Sequence, residues 1–188
     1  MTGSGRRGGW GRRAPPRPPE DPASGEAARS KAIRLLARRD YPSKGLRDRL
    51  EDAGYEADAA TEAVTSLEDD RYVDDERYAE AAVEGRASRG QGPVRIALEL
   101  RRQGLDPLRI ERHLVRSDPV WGERARALRV RRFGAALPTD ARERARQVRF
   151  LLQRGFSGAH VRVALGAQVD DVDLEDAAVG DDAADDSP

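Results

Sequence analysis

The stretch "ELRRQGL", Glu99–Leu105, indicates the fold because its pattern occurs three times in the chain. "RLEDAGY" and "FLLQRGF" share its order of a leucine, three residues, a glycine and a large apolar or aromatic residue. The glycines of the three copies, Gly54, Gly104 and Gly155, are 50 and 51 residues apart. Self-similarity at a fixed period of about 20–50 residues is typical of repeat proteins. The sequence therefore predicts a tandem array.

Apolar positions keep the same register around each of these glycines. The residue four before the glycine is always Leu, and the residues six and ten after it are always Ala, Val, Ile or Leu. This spacing is helical, and no convincing strand alternation accompanies it. We therefore predict an all-α fold of three tandem three-helix units, at about residues 27–70 (unit 1), 71–117 (unit 2) and 118–166 (unit 3).

Small helical units of this kind are expected to stack, because a three-helix unit cannot hide its apolar face alone. Stacking along the chain predicts an elongated, curved array. A single helical bundle is the alternative architecture that the same periodicity allows.

Glycine, proline and short polar residues mark the ends of the predicted helices. Gly54, Gly104 and Gly155 suit the left-handed position that ends a helix, with the next apolar residue folding back onto it. Ser43 is a predicted helix cap, and Asp140 and Glu143 have the spacing of a capping box. Three prolines suit first helical positions, each with a capping residue before it. These pairs are Gly92-Pro93, Asp106-Pro107 and Asp118-Pro119.

Charge is unevenly distributed, although the net charge is zero. Residues 27–85 carry a net charge of −5, whereas residues 86–154 hold eighteen Arg and seven acids, a net charge of +11. Residues 170–188 hold nine acids and no base. This asymmetry predicts an anionic partner for the middle of the chain and an acidic tail outside the fold. The tail either restrains the basic surface by competing with that partner or is a solubilising segment that contacts nothing.

Both ends of the chain have compositions that do not form a core. Residues 1–26 are rich in Gly, Pro and Arg, and the segment "GSGRRGGWGRR" within them resembles motifs that coat single strands, although a disordered spacer is the simpler interpretation. We predict disorder for residues 1–26 and 170–188, and a helical domain at about residues 27–169.

Enzyme chemistry has little support in the sequence. The chain has no Cys, which excludes disulfides, thiolate metal sites and cysteine nucleophiles. It lacks a phosphate-binding GxxxxGK[ST] loop, and its two histidines, His113 and His160, lie in different predicted units. No apolar run approaches transmembrane length. We expect a cytoplasmic, monomeric protein that has no catalytic residues, no cofactor and no metal.

Arginines are the strongest candidates for binding a partner, because the local surplus of positive charge is larger than an ordinary solvent-exposed surface carries. The guanidinium fork binds carboxylates and phosphates alike, so a DNA backbone and an acidic protein groove both remain open. The candidate partner-binding residues are Arg86, Arg89, Arg95, Arg101, Arg102, Arg109, Arg112, Arg124 and Arg131.

Asp74, Asp75 and Tyr78 each have two interpretations. Paired carboxylates suit metal or acid–base chemistry, but no third ligand accompanies them. They also suit the start of a helix, where negative charge is favourable, and we prefer that interpretation. Tyr78 shares a helix face with Ala82, which favours a core position over stacking on a partner.

The segment "SLEDDRYVDDERYAEAAVEGRASRGQGPVRIALELRRQGLD" closely resembles the RecX family, the bacterial regulators of the RecA recombinase. "AIRLLARRDYPSKGLRDRLEDAGY" in unit 1 and "QVRFLLQRGFSGAHVRVALG" in unit 3 are less specific matches. The residues that carry the resemblance are Asp74-Asp75, Tyr78-Ala79, Arg86, Arg89-Gly90, Arg95-Ile96, Glu99-Leu100 and Gly104-Leu105.

This resemblance implies three tandem three-helix units that bind along the RecA–DNA filament. It also implies inhibition of filament growth, ATP hydrolysis, strand exchange and coprotease activity. The alternative function is direct binding of single- or double-stranded nucleic acid through the same arginines.

Overall fold

The computed structural model describes residues 18–116, 118–166 and 169, and at residues 115, 116, 118 and 119 it describes the backbone alone. This part of the chain holds nine helices and no strand, which confirms the all-α prediction. The helices are α1 (Gly25–Leu36), α2 (Ser43–Glu51), α3 (Ala57–Asp69), α4 (Asp75–Ser88), α5 (Pro93–Arg102), α6 (Pro107–Arg116), α7 (Asp118–Phe133), α8 (Ala141–Gln153) and α9 (Gly158–Leu165). Unit 1 comprises α1–α3, unit 2 α4–α6 and unit 3 α7–α9.

The three repeated glycines end the second helix of each unit in the conformation that the sequence predicts. Their φ angles are 96° at Gly54, 87° at Gly104 and 87° at Gly155. The apolar residue after each glycine donates its N–H to the carbonyl of the repeated leucine, at 3.1, 3.2 and 3.1 Å. This pairing is the Schellman motif, which satisfies carbonyls at the helix end.

The buried core is divided into two clusters. The cluster of unit 1 is rich in alanine, with Ala28 and Ala32 of α1 and Ala60 and Ala63 of α3 all buried. Units 2 and 3 instead share one cluster, in which the fully buried Trp121 of α7 joins the apolar residues of α4–α6. Units 1 and 2 therefore keep separate apolar clusters, whereas units 2 and 3 share one among the described residues.

Units 2 and 3 are also joined through their backbones. At the start of α5 the N–H groups of Gly92 and Val94 donate to the carbonyls of Arg154 and Gly155, at 2.7 and 3.0 Å. A Cβ added at Gly155 would lie 2.4 Å from the Cβ of Arg95. The start of one unit's second helix therefore docks on the glycine turn of the next unit.

Units 1 and 2 meet at a polar version of the same joint. Ser43 does not cap α2 as predicted; Pro42 occupies the cap position, and Ser43 is the first helical residue. Its backbone N–H donates to Asp75 at 2.7 Å, and its hydroxyl, which has a single proton, lies between the carboxylates of Glu68 and Asp75, 3.0 Å from the latter. A Cβ on Gly104 would lie 2.6 Å from the Cδ of the neighbouring Lys44.

The remaining predicted caps have mixed outcomes. Asp106 and Asp140 cap α6 and α8, accepting the N–H of Arg109 at 2.9 Å and of Glu143 at 2.8 Å. Gly92 precedes α5 as predicted, whereas α7 already begins at Asp118. The Glu143 side chain accepts from Arg146 and Gln147 rather than completing a box. A capping box that the sequence did not reveal joins Ser157 and His160 in α9, where histidine replaces the usual Glu or Gln.

The prediction of disorder for residues 1–26 is wrong from Pro18 onward, while residues 1–17 lie outside the described part. Ser24 caps α1, and the carbonyl of Pro22 accepts the N–H of Glu56 at 2.9 Å. Pro19 contacts the Gly54 turn, where an added Cβ would lie 2.9 Å from its Cδ. Val169, the last described residue, is buried in the cluster of units 2 and 3; the acidic tail beyond it lies outside the described residues.

Candidate partner-binding surface

Asp74 and Asp75 hold helix ends and joints together. Asp74 is the cap of α4, and its Oδ1 accepts the N–H groups of Glu76 and Arg77, at 2.9 and 3.0 Å. The hydrogen bond from the Arg77 backbone is the main reason that the pKa of Asp74 lies below its usual value. No group of three or more potential metal ligands occurs among the described residues.

A network of charges ties α6 to the start of α4. Arg109 pairs with Asp75 at 3.0 Å and with Glu76 at 3.2 Å. His113, which is nearly buried, lies 2.9 Å from the other oxygen of Glu76, and Arg112 reaches the same carboxylate at 3.6 Å. Two predicted partner-binding arginines, Arg109 and Arg112, therefore already have acidic neighbours inside unit 2.

A second network crosses the inside of unit 2. The Tyr78 hydroxyl donates to Oε1 of Gln103 at 2.8 Å, and Arg86 donates to the same oxygen at 3.3 Å. Arg86 also pairs with Glu99 at 3.1 Å, and Arg95 pairs with the other oxygen of that carboxylate at 3.0 Å. Burial raises the pKa of Glu99, but hydrogen bonds from the two arginines outweigh it, so the pKa lies below its usual value.

The nine predicted arginines therefore separate into two classes. Those with an acidic partner within 4 Å are Arg86, Arg95, Arg109, Arg112 and Arg124. Those that are exposed and have no such partner among the described residues are Arg89, Arg101, Arg102 and Arg131. Only the second class has its full hydrogen-bonding capacity available to an anionic partner.

The available arginines form two groups rather than one surface. Arg89 ends α4, and Arg131 of unit 3 reaches the same turn, with a guanidinium nitrogen 3.6 Å from where a Cβ would lie on Gly90. Arg101 and Arg102 lie at the C-terminal end of α5, a helix about 15 Å long. Exposed Val94 and Leu98 lie on the same helix, so α5 presents apolar as well as basic side chains to solvent.

A concavity of about 280 Å³ lies between units 1 and 2, beside one of these groups. Unit 2 contributes Tyr78 and Arg102 to its lining, and unit 1 contributes Tyr41 and Arg39 among others. The Arg39 guanidinium lies over the Tyr41 ring, 4.4 Å from its centroid. Because both units line this groove, a partner bound there would contact two repeats at once.

A third basic surface, on unit 3, was not among the predicted sites. Phe133 ends α7 and meets Phe150 of α8 edge to face, with ring centroids 5.2 Å apart. The surrounding guanidinium groups and these two rings form what we call the Arg–Phe cluster. Its members are Arg132, Phe133, Arg146, Arg149, Phe150 and Arg154. The signal in the sequence is a pair of similar stretches, "VRRF" and "QVRF", in which Arg directly precedes Phe.

Arg129 supports the loop that follows this cluster. Its side chain is 2% exposed, and its guanidinium donates to the carbonyls of Ala135 and Ala136, at 3.1 and 2.9 Å. A buried arginine of this kind fixes backbone rather than binding a partner, because its donors are directed inward. No described helix is long and apolar enough to cross a membrane.

Three segments of the chain match family models described as the first, second and third three-helix domains of RecX. The matched residues are 28–67, 74–114 and 123–165, in the order of units 1, 2 and 3. These matches support a repeat of three-helix domains over a single bundle.

Curated relatives and solved structures agree with these matches. The Regulatory protein RecX of Halorhodospira halophila is 42% identical over 149 residues, which are 79% of this chain and 92% of the relative. That of Acidithiobacillus ferrooxidans is 41% identical over 138 residues, 72% of this chain and 87% of the relative. The crystal structure of RecX from Lactobacillus salivarius superposes with a TM-score of 0.66 at 21% identity, covering 80% of this chain and 96% of that one, and shows the same fold.

Proposed function

Because the chain belongs to the RecX family of regulatory proteins, we propose that it binds the RecA–DNA filament and inhibits RecA. The inhibited steps are ATP hydrolysis, strand exchange and coprotease activity. The observation that carries this proposal is the match of all three helical units, in order, to the three domains of that family. In this role the chain is a monomeric, non-enzymatic protein of the cytoplasm, where the recombinase acts.

The distribution of available arginines supports a partner that carries negative charge. Arg89, Arg101, Arg102 and Arg131 belong to units 2 and 3, within the region whose net charge is +11. Each guanidinium offers a fork of donors for carboxylates or phosphates. Both chemistries occur in a nucleoprotein filament, so the same surface suits the protein and its DNA.

Repeated units support binding to several filament subunits at once. Unit 2 is joined to unit 1 through Ser43 and Asp75 and to unit 3 through Gly92 and Arg154, and the described helices of units 1 and 3 do not pack extensively on each other. Contacts that are individually modest then add through effective concentration, because one chain holds all of them. A chain bound in this way hinders the subunit motions that ATP hydrolysis requires.

A second candidate function is direct binding of nucleic acid without the recombinase. The Arg–Phe cluster favours it, because arginines beside aromatic rings are typical of single-strand binding surfaces. This candidate predicts equal affinity for bare and RecA-coated strands at the same salt concentration.

The inhibition is tested by reversing charge at the end of α5. We expect Arg101→Glu with Arg102→Glu to abolish inhibition of DNA-dependent RecA ATPase, because both guanidinium groups are exposed and have no acidic partner in the described structure. The matched control is Arg34→Glu with Arg38→Glu, which makes the same change on exposed arginines of unit 1. Full inhibition by the folded Arg101/Arg102 variant would place the interface elsewhere.

A further inference from the structure

The Arg–Phe cluster has a composition that core packing does not explain. Phe150 packs partly against the shared core, whereas Phe133 lies outside that cluster of buried residues. Phe133 is held instead by Phe150 and by two guanidinium groups, those of Arg132 and Arg146, which lie 5.5 and 5.2 Å from its ring centroid. The half-buried Phe133 ring thus lies among positive charges and lines a concavity of about 210 Å³.

Most of these charges lack an acidic partner. Arg146 pairs with Glu143 at 2.9 Å. Arg132, Arg149 and Arg154 have no carboxylate within 4 Å in the part of the chain that the structure describes, and all three are exposed. The Arg154 guanidinium lies 5.3 Å from the Phe150 ring centroid. The cluster therefore offers unpaired cationic forks beside two half-buried rings that carry guanidinium groups over them.

We propose that the Arg–Phe cluster is a binding site for single-stranded nucleic acid. The exposed guanidinium groups take successive phosphates, and a base stacks on the Phe133 ring or on a guanidinium plane above it. An acidic peptide would use the charges but would leave the rings without a role. A duplex offers phosphates while its bases stay stacked on each other, so the rings favour a single strand.

This site adds a nucleic-acid contact to the proposed regulator, and its test needs no recombinase. The full chain is titrated against a fluorescent oligothymidylate of about 20 nucleotides and against a duplex of the same length. We expect Phe133→Leu, which keeps an apolar side chain but removes the ring, to weaken single-strand binding by at least about fivefold, the low end for one base–aromatic stack. The affinity of this variant for the duplex should stay within about twofold of the wild-type affinity, because no base of a duplex stacks on the protein.

The charge component is measured separately. Arg132→Gln with Arg149→Gln should lower the salt dependence of single-strand binding by about 1.4 in the slope of log K against log salt, since each phosphate contact contributes about 0.7. Tyr72→Leu is the control for loss of an exposed ring between α3 and α4, and Arg34→Gln with Arg38→Gln controls for charge. Circular dichroism and melting temperature verify that each variant is folded.

Three results would overturn this assignment. The wild-type chain could fail to bind the oligonucleotide at low salt, or Phe133→Leu could bind it as the wild type does. The variants could also keep oligonucleotide binding yet lose binding to RecA-coated DNA, which would make the cluster a protein-binding site. A chain that binds bare strands through this cluster but shows no preference for filaments would refute the regulatory proposal and leave this one standing.

Discussion

Gly155 has two separate reasons to be glycine. Its φ of 87° is unfavourable for a residue with a Cβ, at a cost of about 1–2 kcal/mol. A Cβ there would also lie 2.6 Å from the backbone nitrogen of Arg95, and a backbone atom cannot rotate away as a side chain can. Conformation and the joint between units 2 and 3 therefore constrain the same position.

Comparison with Gly134 separates these two costs. Gly134 has a φ of 93° and nothing within 4 Å of an added Cβ. We expect Gly134→Ala to lower the free energy of unfolding by about 1–2 kcal/mol, the conformational cost alone. Gly155→Ala should lose a further 1–3 kcal/mol or so from overpacking. Urea denaturation measures both, and equal losses would show that the joint is not tightly packed.

Glu99 makes the stability of unit 2 depend on pH. Its pKa in the folded protein lies below the usual 4.5, so the stabilisation is fully present above pH 4.5 and is lost as the pH falls through the lower, folded value. We expect Glu99→Gln to cost about 1–3 kcal/mol at pH 7, because it weakens the hydrogen bonds of a mostly buried Arg86.

The difference between Glu99→Gln and the wild type should shrink in acid. Denaturation of both proteins from pH 7 down to pH 3 measures it. Glu123→Gln is the control, because Glu123 and Arg126 are exposed and 4.0 Å apart, and such pairs contribute little. A gap between Glu99→Gln and the wild type that stays constant down to pH 3 would contradict the assigned role of this carboxylate.

Individual arginines show the limit of what sequence indicates about the site. Arg86 and Arg101 are the same residue type in the same basic region, yet Arg86 is directed into unit 2 and Arg101 is exposed. The difference depends on acids placed by the fold, such as Glu99, 13 residues from Arg86, and Glu84, 40 residues from Arg124. Sequence spacing does not reveal pairs of this kind.

Helix ends were easier to predict than helix contacts, because local chemistry decides them. The Leu and Gly positions of the repeat fixed three Schellman turns correctly, and Asp74, Asp106 and Asp140 each cap a helix. Ser43 was misassigned because Asp75, 32 residues away, offers its N–H a carboxylate. Local propensity predicts that Ser43 caps α2, but its tertiary contact with Asp75 accompanies a position one residue inside the helix.

The segment before α1 serves as a cap for the array. Pro19 contacts the Gly54 turn of unit 1, the place that Lys44 and Arg95 take at the glycine turns of units 2 and 3. Terminal repeats need such covering, because the face that normally meets a neighbour would otherwise be exposed.

Removing this segment should destabilise unit 1. A chain that begins at Ser24 loses the Pro19 contact and the hydrogen bond from Glu56 to Pro22, which is worth about 1 kcal/mol. We expect the chain that begins at Ser24 to unfold at a lower urea midpoint than a chain that begins at Pro18. Identical midpoints would show that residues 18–23 rest on the unit without stabilising it.

The molecule as a whole combines a separate unit 1 with a joined pair of units 2 and 3. Unit 1 carries its own core and meets unit 2 through Ser43, Asp75 and Glu68, whereas units 2 and 3 share buried apolar residues. The basic surplus and all four available arginines belong to the joined pair. The basic groups therefore lie on the pair of units that shares a core, and a polar joint connects that pair to unit 1.

Binding to RecA-coated and to bare single-stranded DNA, measured side by side at one salt concentration, decides whether the filament is the partner. We expect the full chain to bind the coated strand at least about tenfold more tightly at 0.15 M salt, because contacts to several subunits add to those with phosphates. Inhibition of ATP hydrolysis should follow the same titration. Equal or weaker binding to the coated strand would contradict a filament regulator and favour a nucleic-acid-binding protein.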